Sequence, residues 1–330
     1  MTDQSRPLAV AHMPLENRWE SIRHLATRAD VLGYDTFTLP ETWAYDTTVL
    51  LANLAAHTEQ IRLSTGILGV WNRSAATIAM AAATLQTVSG GRFMLGLGAS
   101  TPQLVEGLHD TAYEDPYAQI RRVVTQVRAL LAGERVTLSD GRDARPLRLN
   151  VEPQPETPII FGATSPRSIR LAGECFDGWI PFLYPRDRLP DAIAMMKEGR
   201  AASEFPERPL HILPSLPTVI HPDASKAREG AAWFVAFYIT TMGDMYREAV
   251  RRMGFTAEVD AVMAANEGQR PAIVPPEAEV LLEQLTIYGT PDDARQQLAK
   301  WFDAGATLPG LLLLPNMSDA EIDFTLEGLA

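Results

Sequence analysis

Apolar positions along the first hundred residues switch between two periods. Short β-type runs fall at 8–13 (LAVAHM), 35–39 (DTFTL), 61–67 (IRLSTGI) and 92–97 (RFMLGL), rich in residues that suit a buried pleat. Between them the spacing becomes helical. In 19–32 the residues Ile22, Leu25, Ala26, Ala29 and Leu32 share one helix face, and 48–57, short and apolar, and 75–88, closed by Ser89, Gly90 and Gly91, are predicted as further helices. Four strand-then-helix units in about 100 residues imply parallel strands joined by right-handed crossovers.

A helix is predicted over 117–131, after which the rhythm breaks. The stretch 136–150 (VTLSDGRDARPLRLN) has two β-like arms around a polar Asp-Gly turn and predicts a surface hairpin. The rhythm then resumes with strands at 158–161, 178–182 and 210–220 and helices at 166–175 and 188–202. A long helical stretch, 224–265, carries Trp233, Phe234, Phe237, Tyr238, Met242, Met245 and Tyr246, and the last unit is a helix at 291–304 followed by a buried strand at 310–314. Eight strands with no Pro, Gly or Ser-rich linker predict an α/β fold, a (β/α)8 TIM barrel with insertions. It forms one domain over 1–330, with a hairpin insertion near 136–150 and a helical insertion near 224–270. A doubly wound open sheet would show a glycine fingerprint after the first strand, whereas this strand ends in His12, Met13 and Pro14.

Charge and cysteine usage narrow the class. Over 330 residues there are 29 Lys and Arg against 41 Asp and Glu, a formal charge of -12 that repels nucleic acid and anionic membranes. The expected partner is therefore a small molecule. The single Cys175 allows no internal disulfide, and no apolar run approaches the roughly 18 residues of a membrane span, so a cytoplasmic setting is expected. A homodimer is the expected assembly.

In a parallel barrel the ligand site lies at the carboxyl ends of the strands. Those ends carry His12 after the first strand, Glu41 and Trp43 after the second, Gly66 and Ile67 at the third, Ala99, Ser100 and Gln103 after the fourth, and Gly162, Ala163, Thr164 and Ser165 after the fifth. They hold no His, Cys or carboxylate cluster with metal-ligand spacing, so no metal is expected. The stretches GLGAS and FGATSP put small residues and hydroxyls where backbone N–H groups can reach an anion, and Pro166 suits the first turn of a helix. Glycines at such places are also commonly structural.

Longer stretches carry a resemblance: LGYDTFTLPETW; the run from LAAHTEQIRLSTGILG to GGRFMLGLGAS; PIIFGATSPRSIRLAGECFDGWIPF; and YGTPDDARQQLAKWFDAGA. In this order and at these separations the chain resembles the luciferase-like flavin and deazaflavin oxidoreductases, and specifically their coenzyme F420-dependent branch. The resemblance implies a TIM barrel with an insertion after the fourth helical region and another after strand seven. It also implies a cis peptide matching Gly66–Ile67, in a bulge that backs the deazaflavin ring, with Thr65 and Arg73 tying down the bulge.

The activity so implied is hydride transfer between the deazaflavin and a small organic substrate, with the phosphate chain held by the two small-residue loops. Glu41 occupies an acid/base-like position. A carboxyl group in a half-apolar pocket holds its proton to higher pH and can exchange it near neutrality; the alternative is a helix-capping carboxylate. His12 is the other candidate for the proton, and Trp43 could wall the ring. Two rival readings stay open: an FMN-dependent luciferase-like monooxygenase on the same barrel, and a non-catalytic ligand-binding barrel.

Overall fold

The computed structural model describes residues 6–138, 141–270 and 272–330. Eleven strands form one curled sheet in which every pair of neighbours is parallel. In chain order they are β1 (Ala9–His12), β2 (Thr36–Leu39), β3 (Arg62–Thr65), β4 (Leu68–Gly69), β5 (Phe93–Gly98), β6 (Ile159–Gly162), β7 (Gly178–Ile180), β8 (His211–Ile212), β9 (Ser215–Ile220), β10 (Ile287–Gly289) and β11 (Gly310–Leu313). Their order in the sheet is β10-β9-β11-β1-β2-β3-β5-β6-β7-β8, with β4 paired to β5. Helices fill the crossovers, so the sheet is covered on its outer face and its strands are buried almost throughout.

The expected strand 210–220 splits into β8 and β9 around Leu213 and Pro214, since proline has no N–H to offer the ladder. The two halves face different neighbours: Leu213 N–H donates to Trp179 O (2.9 Å) and Gly310 N–H to Pro214 O (2.8 Å). A single run of chain thus touches β7 on one side and β11 on the other. The strand expected over 178–182 stops at Ile180, again before a proline.

Three other expectations are corrected. The segment 136–150 forms no strand among its described residues. Val136 N–H does donate to Leu147 O (2.8 Å), so the chain doubles back, with Val136 and Leu149 partly buried against the core and Leu147 exposed, but this pairing does not extend into a ladder among the described residues. Residues 139 and 140 of the expected turn lie outside the described residues. The stretch 224–265 is three helices, Ala224–Thr240, Asp244–Arg252 and Thr256–Ala265, divided at Gly243 (φ 78°) and Gly254 (φ 102°), where a left-handed backbone ends helical continuity. Strand β10 was not anticipated, because Ile287–Gly289 is three residues long and flanked by polar Thr286 and Thr290.

The helix Ala75–Ser89 starts at Ser74, whose hydroxyl accepts from Thr77 N–H, and the helix Pro166–Cys175 starts at Ser165, which accepts from Ser168 N–H in the same way. One continuous apolar core joins the outer face of the strands to the helices. A second gathers the three insertion helices around Phe234, Tyr238 and Leu281 over the ends of β1 and β11.

Candidate active site

A cavity of about 500 Å³ opens at the carboxyl ends of the strands. The structure brings ten of the twelve expected residues to its wall: His12, Glu41, Gly66, Ile67, Ala99, Ser100, Gly162, Ala163, Thr164 and Ser165. Trp43 and Gln103 are outside it. Trp43, in the loop after β2, is 51% exposed, and Gln103, in the short helix Pro102–Gly107 after β5, also faces solvent.

The wall is built around one bulge. The Gly66–Ile67 peptide is cis, and β3 resumes beyond it as β4. On one side Thr65 fixes the bulge by reciprocal bonds, its hydroxyl donating to Gly96 O (2.9 Å) and accepting from Gly96 N–H (2.8 Å). On the other, the Ile67 side chain lies over glycines: a Cβ at Gly98 would stand 2.6 Å from Ile67 Cδ1, and one at Gly162 would stand 3.3 Å from Ile67 Cγ2. The glycines of both small-residue stretches are therefore occupied by packing. Ile67 becomes a flat apolar shelf at the strand ends.

Beside the shelf, Glu41 meets a cation. Arg73 Nη1 donates to Glu41 Oε2 (2.5 Å) and Nη2 to Asp46 Oδ2 (2.8 Å), with the Glu41 side chain 8% exposed. The capping alternative for Glu41 is excluded, because Asp46 caps the helix Thr47–Ala55 by accepting from Thr48 and Val49 N–H. Glu41 stands in an ion pair at the cavity rather than in a half-apolar pocket. Arg73 ties the loop after β4 to the loop after β2.

His12 is 1% exposed at the end of β1. Its Nε2 lies 3.3 Å from Ser21 O, an acceptor only, and 3.4 Å from the Ser21 hydroxyl; in the tautomer that donates from Nε2 to the carbonyl, Nδ1 presents a lone pair. Nδ1 is buried and has no partner among the described residues. Burial pushes the imidazole's pKa below its ordinary value, so the ring is neutral. Close by, Glu16 pairs with Arg18 and accepts from Asn316 N–H (3.0 Å), linking the loops after β1 and β11, and these bonds hold its carboxyl down at about 2 against the opposing effect of burial.

The remaining wall has two characters. Next to β6 stand Ser165, the first turn of the helix Pro166–Cys175, and Arg167, whose guanidinium lies 3.7 Å from the Tyr117 ring centroid and forms no ion pair among the described residues. Next to β7 and β9 stand Phe182, Tyr238, Met245 and Tyr246, with Phe182 held edge-on by Tyr238 (4.9 Å) and Tyr246 (5.1 Å). Sequence reasoning passed over Arg167, which its place in the first turn after FGATSP could have revealed. Of the aromatic residues of 224–265, Phe234 lies wholly in the core, whereas Tyr238, packed in the same core, and Tyr246 also reach the cavity wall, which only the packing of the helices reveals.

This donor set fits a flat ring compound with an anionic tail. It offers an apolar shelf, the neutral His12 imidazole in the wall, and a free guanidinium beside a helix N-terminus for negative charge.

The model of the luciferase-like monooxygenase family matches residues 3–308. The chain belongs to that family. It is 31% identical to a protein of Mycobacterium tuberculosis named a coenzyme F420-dependent oxidoreductase, over 86% of this chain and 88% of that one. It is 28% identical to the 5,10-methylenetetrahydromethanopterin reductase of Methanolobus tindarius, over 91% and 92%. Among solved structures, the coenzyme F420-dependent tetrahydromethanopterin reductase of Methanopyrus kandleri superposes with a TM-score of 0.77 at 19% identity, covering 98% of this chain and 97% of that one. The FMN-bound oxygenating constituent of a diketocamphane monooxygenase from Pseudomonas putida does so at 0.71 and 17%, covering 98% and 96%. These two structures share the fold with this family member, which stands by its relatives among enzymes. No helix among the described residues is long and apolar enough to cross a membrane, and none of their His, Cys, Asp and Glu side chains form a group that could hold a metal.

Proposed function

We propose that the protein is a coenzyme F420-dependent oxidoreductase that moves a hydride between the deazaflavin and a small organic substrate in the cavity at the strand ends. The observation that carries this reading is the Ile67 shelf seated over Gly98 and Gly162, with the orphan Nδ1 of His12 in the same wall. The F420-dependent relatives support it. When bound, the deazaflavin supplies a hydride donor or acceptor at its reactive ring carbon.

In this reading Ile67 backs the ring while Ser165, the first turn of its helix and Arg167 hold the anionic tail. Glu41 and His12 are the groups that move the accompanying proton: Glu41 through the oxygen not taken by Arg73, and His12 through the lone pair on Nδ1. The ion pair orients Glu41. Thr65 and Arg73 keep the bulge and the Glu41 loop from shifting.

The same proposal takes the chain as a single domain and the curled sheet as a closed eight-stave barrel, β4 continuing β3 and β8 continuing into β9, with β10 as an extra edge. The bonds from the 211–220 run to both Trp179 and Gly310 support closure. The helical insertion spans 224–270. A cytoplasmic setting is supported by the lone free cysteine. A homodimer is supported by exposed Val49, Met80 and Val88 on the neighbouring helices Thr47–Ala55 and Ala75–Ser89.

Titration of the purified protein with F420 and with FMN, followed by tryptophan fluorescence, tests the reading. F420 is expected to bind at micromolar or tighter affinity, and FMN distinctly less well. Tight FMN binding without F420 binding moves the protein to the monooxygenase branch, and binding of neither supports a barrel without redox function.

A further inference from the structure

The wall between β7 and β9 has a chemistry of its own. Tyr238 is 2% exposed and Tyr246 half-buried, their rings 5.5 Å apart, and neither hydroxyl hydrogen-bonds to any described residue. Two phenol groups therefore line a cavity with their polar capacity unspent. Burial raises both phenol pKa values, that of Tyr246 up to about 12, so each remains a neutral O–H donor across the physiological range. Around them the wall is largely apolar, with Phe182 and Leu312, and carries the neutral Ser215 hydroxyl opposite Phe182.

Charge is scarce in this cavity. Among the described residues its wall carries two formally charged side chains, Glu41 and Arg167. Glu41 is paired with Arg73, and Arg167 lies beside β6 over Tyr117. No cation stands next to the phenols to compensate a phosphate or carboxylate there, and an unpaired anion in an apolar wall costs several kcal/mol. A neutral molecule with one oxygen acceptor meets both conditions.

We propose that the substrate end of this site takes an uncharged, largely apolar molecule of about one ring, whose single carbonyl or hydroxyl oxygen accepts from the Tyr238 and Tyr246 hydroxyls, and that phosphorylated and carboxylated molecules are refused there. The inference rests on the F420 reading for which end of the cavity is left to substrate. It places the protein's specificity apart from sugar phosphates, although one relative is named an F420-dependent glucose-6-phosphate dehydrogenase.

The test is direct binding by calorimetry to the full chain, with and without F420. Neutral probes are cyclohexanone and acetophenone; charged counterparts are 4-acetylbenzoate and glucose 6-phosphate. At least one neutral ketone is expected to bind at least tenfold more tightly than either charged probe. Tyr238→Phe and Tyr246→Phe, which keep the rings and remove unpartnered hydroxyls, are expected to weaken that ketone by about threefold to tenfold each, the range of one neutral hydrogen bond, with F420 affinity unchanged. Met245→Arg, at a partly exposed rim position, is expected to raise affinity for 4-acetylbenzoate by tenfold or more. Charged probes binding as well as the neutral ones, or ketone affinity indifferent to both phenols, overturns the inference. If F420 fails to bind while phenol-dependent ketone binding persists, the cofactor reading falls and this inference stands.

Discussion

A methyl group at position 98 would stand 2.6 Å from Ile67 Cδ1, so the bare backbone of Gly98 and the branched side chain of Ile67 occupy one another's space. Gly98→Ala is thus an overpacking change at the shelf. It is expected to destabilise the fold by about 1–3 kcal/mol and to weaken F420 by tenfold or more, measured by urea unfolding and fluorescence titration. The double variant Gly98→Ala/Ile67→Ala is expected to recover part of the stability. No recovery would mean that the two positions are not coupled.

The Glu41–Arg73 pair separates two roles. Glu41→Gln is expected to leave F420 affinity within a few-fold and to lower the rate of F420 reduction by about 100-fold or more, as for an acid/base group. Arg73→Ala leaves a buried carboxylate without its cation and is expected to cost about 3 kcal/mol. In the double variant the charge is gone, so the loss is expected to be smaller than for Arg73→Ala alone. A Glu41→Gln enzyme with full rate assigns the pair to structure.

How far the chain announces its own site depends on the range of the interaction concerned. Strand ends were legible because burial imposes runs such as DTFTL and RFMLGL, and the residues following them, His12, Glu41 and Ser165 among them, fall at the mouth wherever such strands stand side by side. Where Trp43 comes to lie was not legible, because a loop's outward or inward turn is decided by what packs beneath it: the Arg73 bridge to Glu41 and Asp46 holds that loop, with the indole exposed. Tyr238 was illegible for a different reason. Its helix is apolar on most sides, and which aromatic meets the cavity depends on the crossing of three helices separated at Gly243 and Gly254. The glycines of GLGAS and FGATSP were visible, but their use was not, since Ile67 reaches them from 31 and 95 residues away in sequence.

Acid sensitivity is expected from Glu16. Its carboxyl is held at about 2 in the folded chain against an ordinary 4.5, so its contribution is present in full above about pH 4.5 and is lost as pH falls toward 2. That displacement corresponds to about 3 kcal/mol. Glu16→Gln is expected to lower stability at pH 7 by about 1–3 kcal/mol and to flatten the stability profile between pH 4.5 and 2, followed by urea unfolding. A variant whose profile keeps the parent slope would assign the acid transition to other carboxylates.

His12 tests whether a buried orphan nitrogen serves chemistry or packing. Its pKa is lowered in the folded chain, so the unfolded chain takes up the proton first: stability is full above about pH 6.5, the ordinary value, and falls as pH drops below it until the folded imidazole also protonates. His12→Leu removes that slope. It also removes both the long bond to Ser21 O and the unsatisfied Nδ1, effects of opposite sign, so stability at pH 7 is expected to change by less than about 1 kcal/mol. If Nδ1 handles the proton, the rate of F420 reduction falls by about 100-fold while F420 still binds. A stable, F420-binding His12→Leu protein that retains the parent rate leaves the proton to Glu41 alone, whereas a large stability loss would show that the imidazole is held for packing.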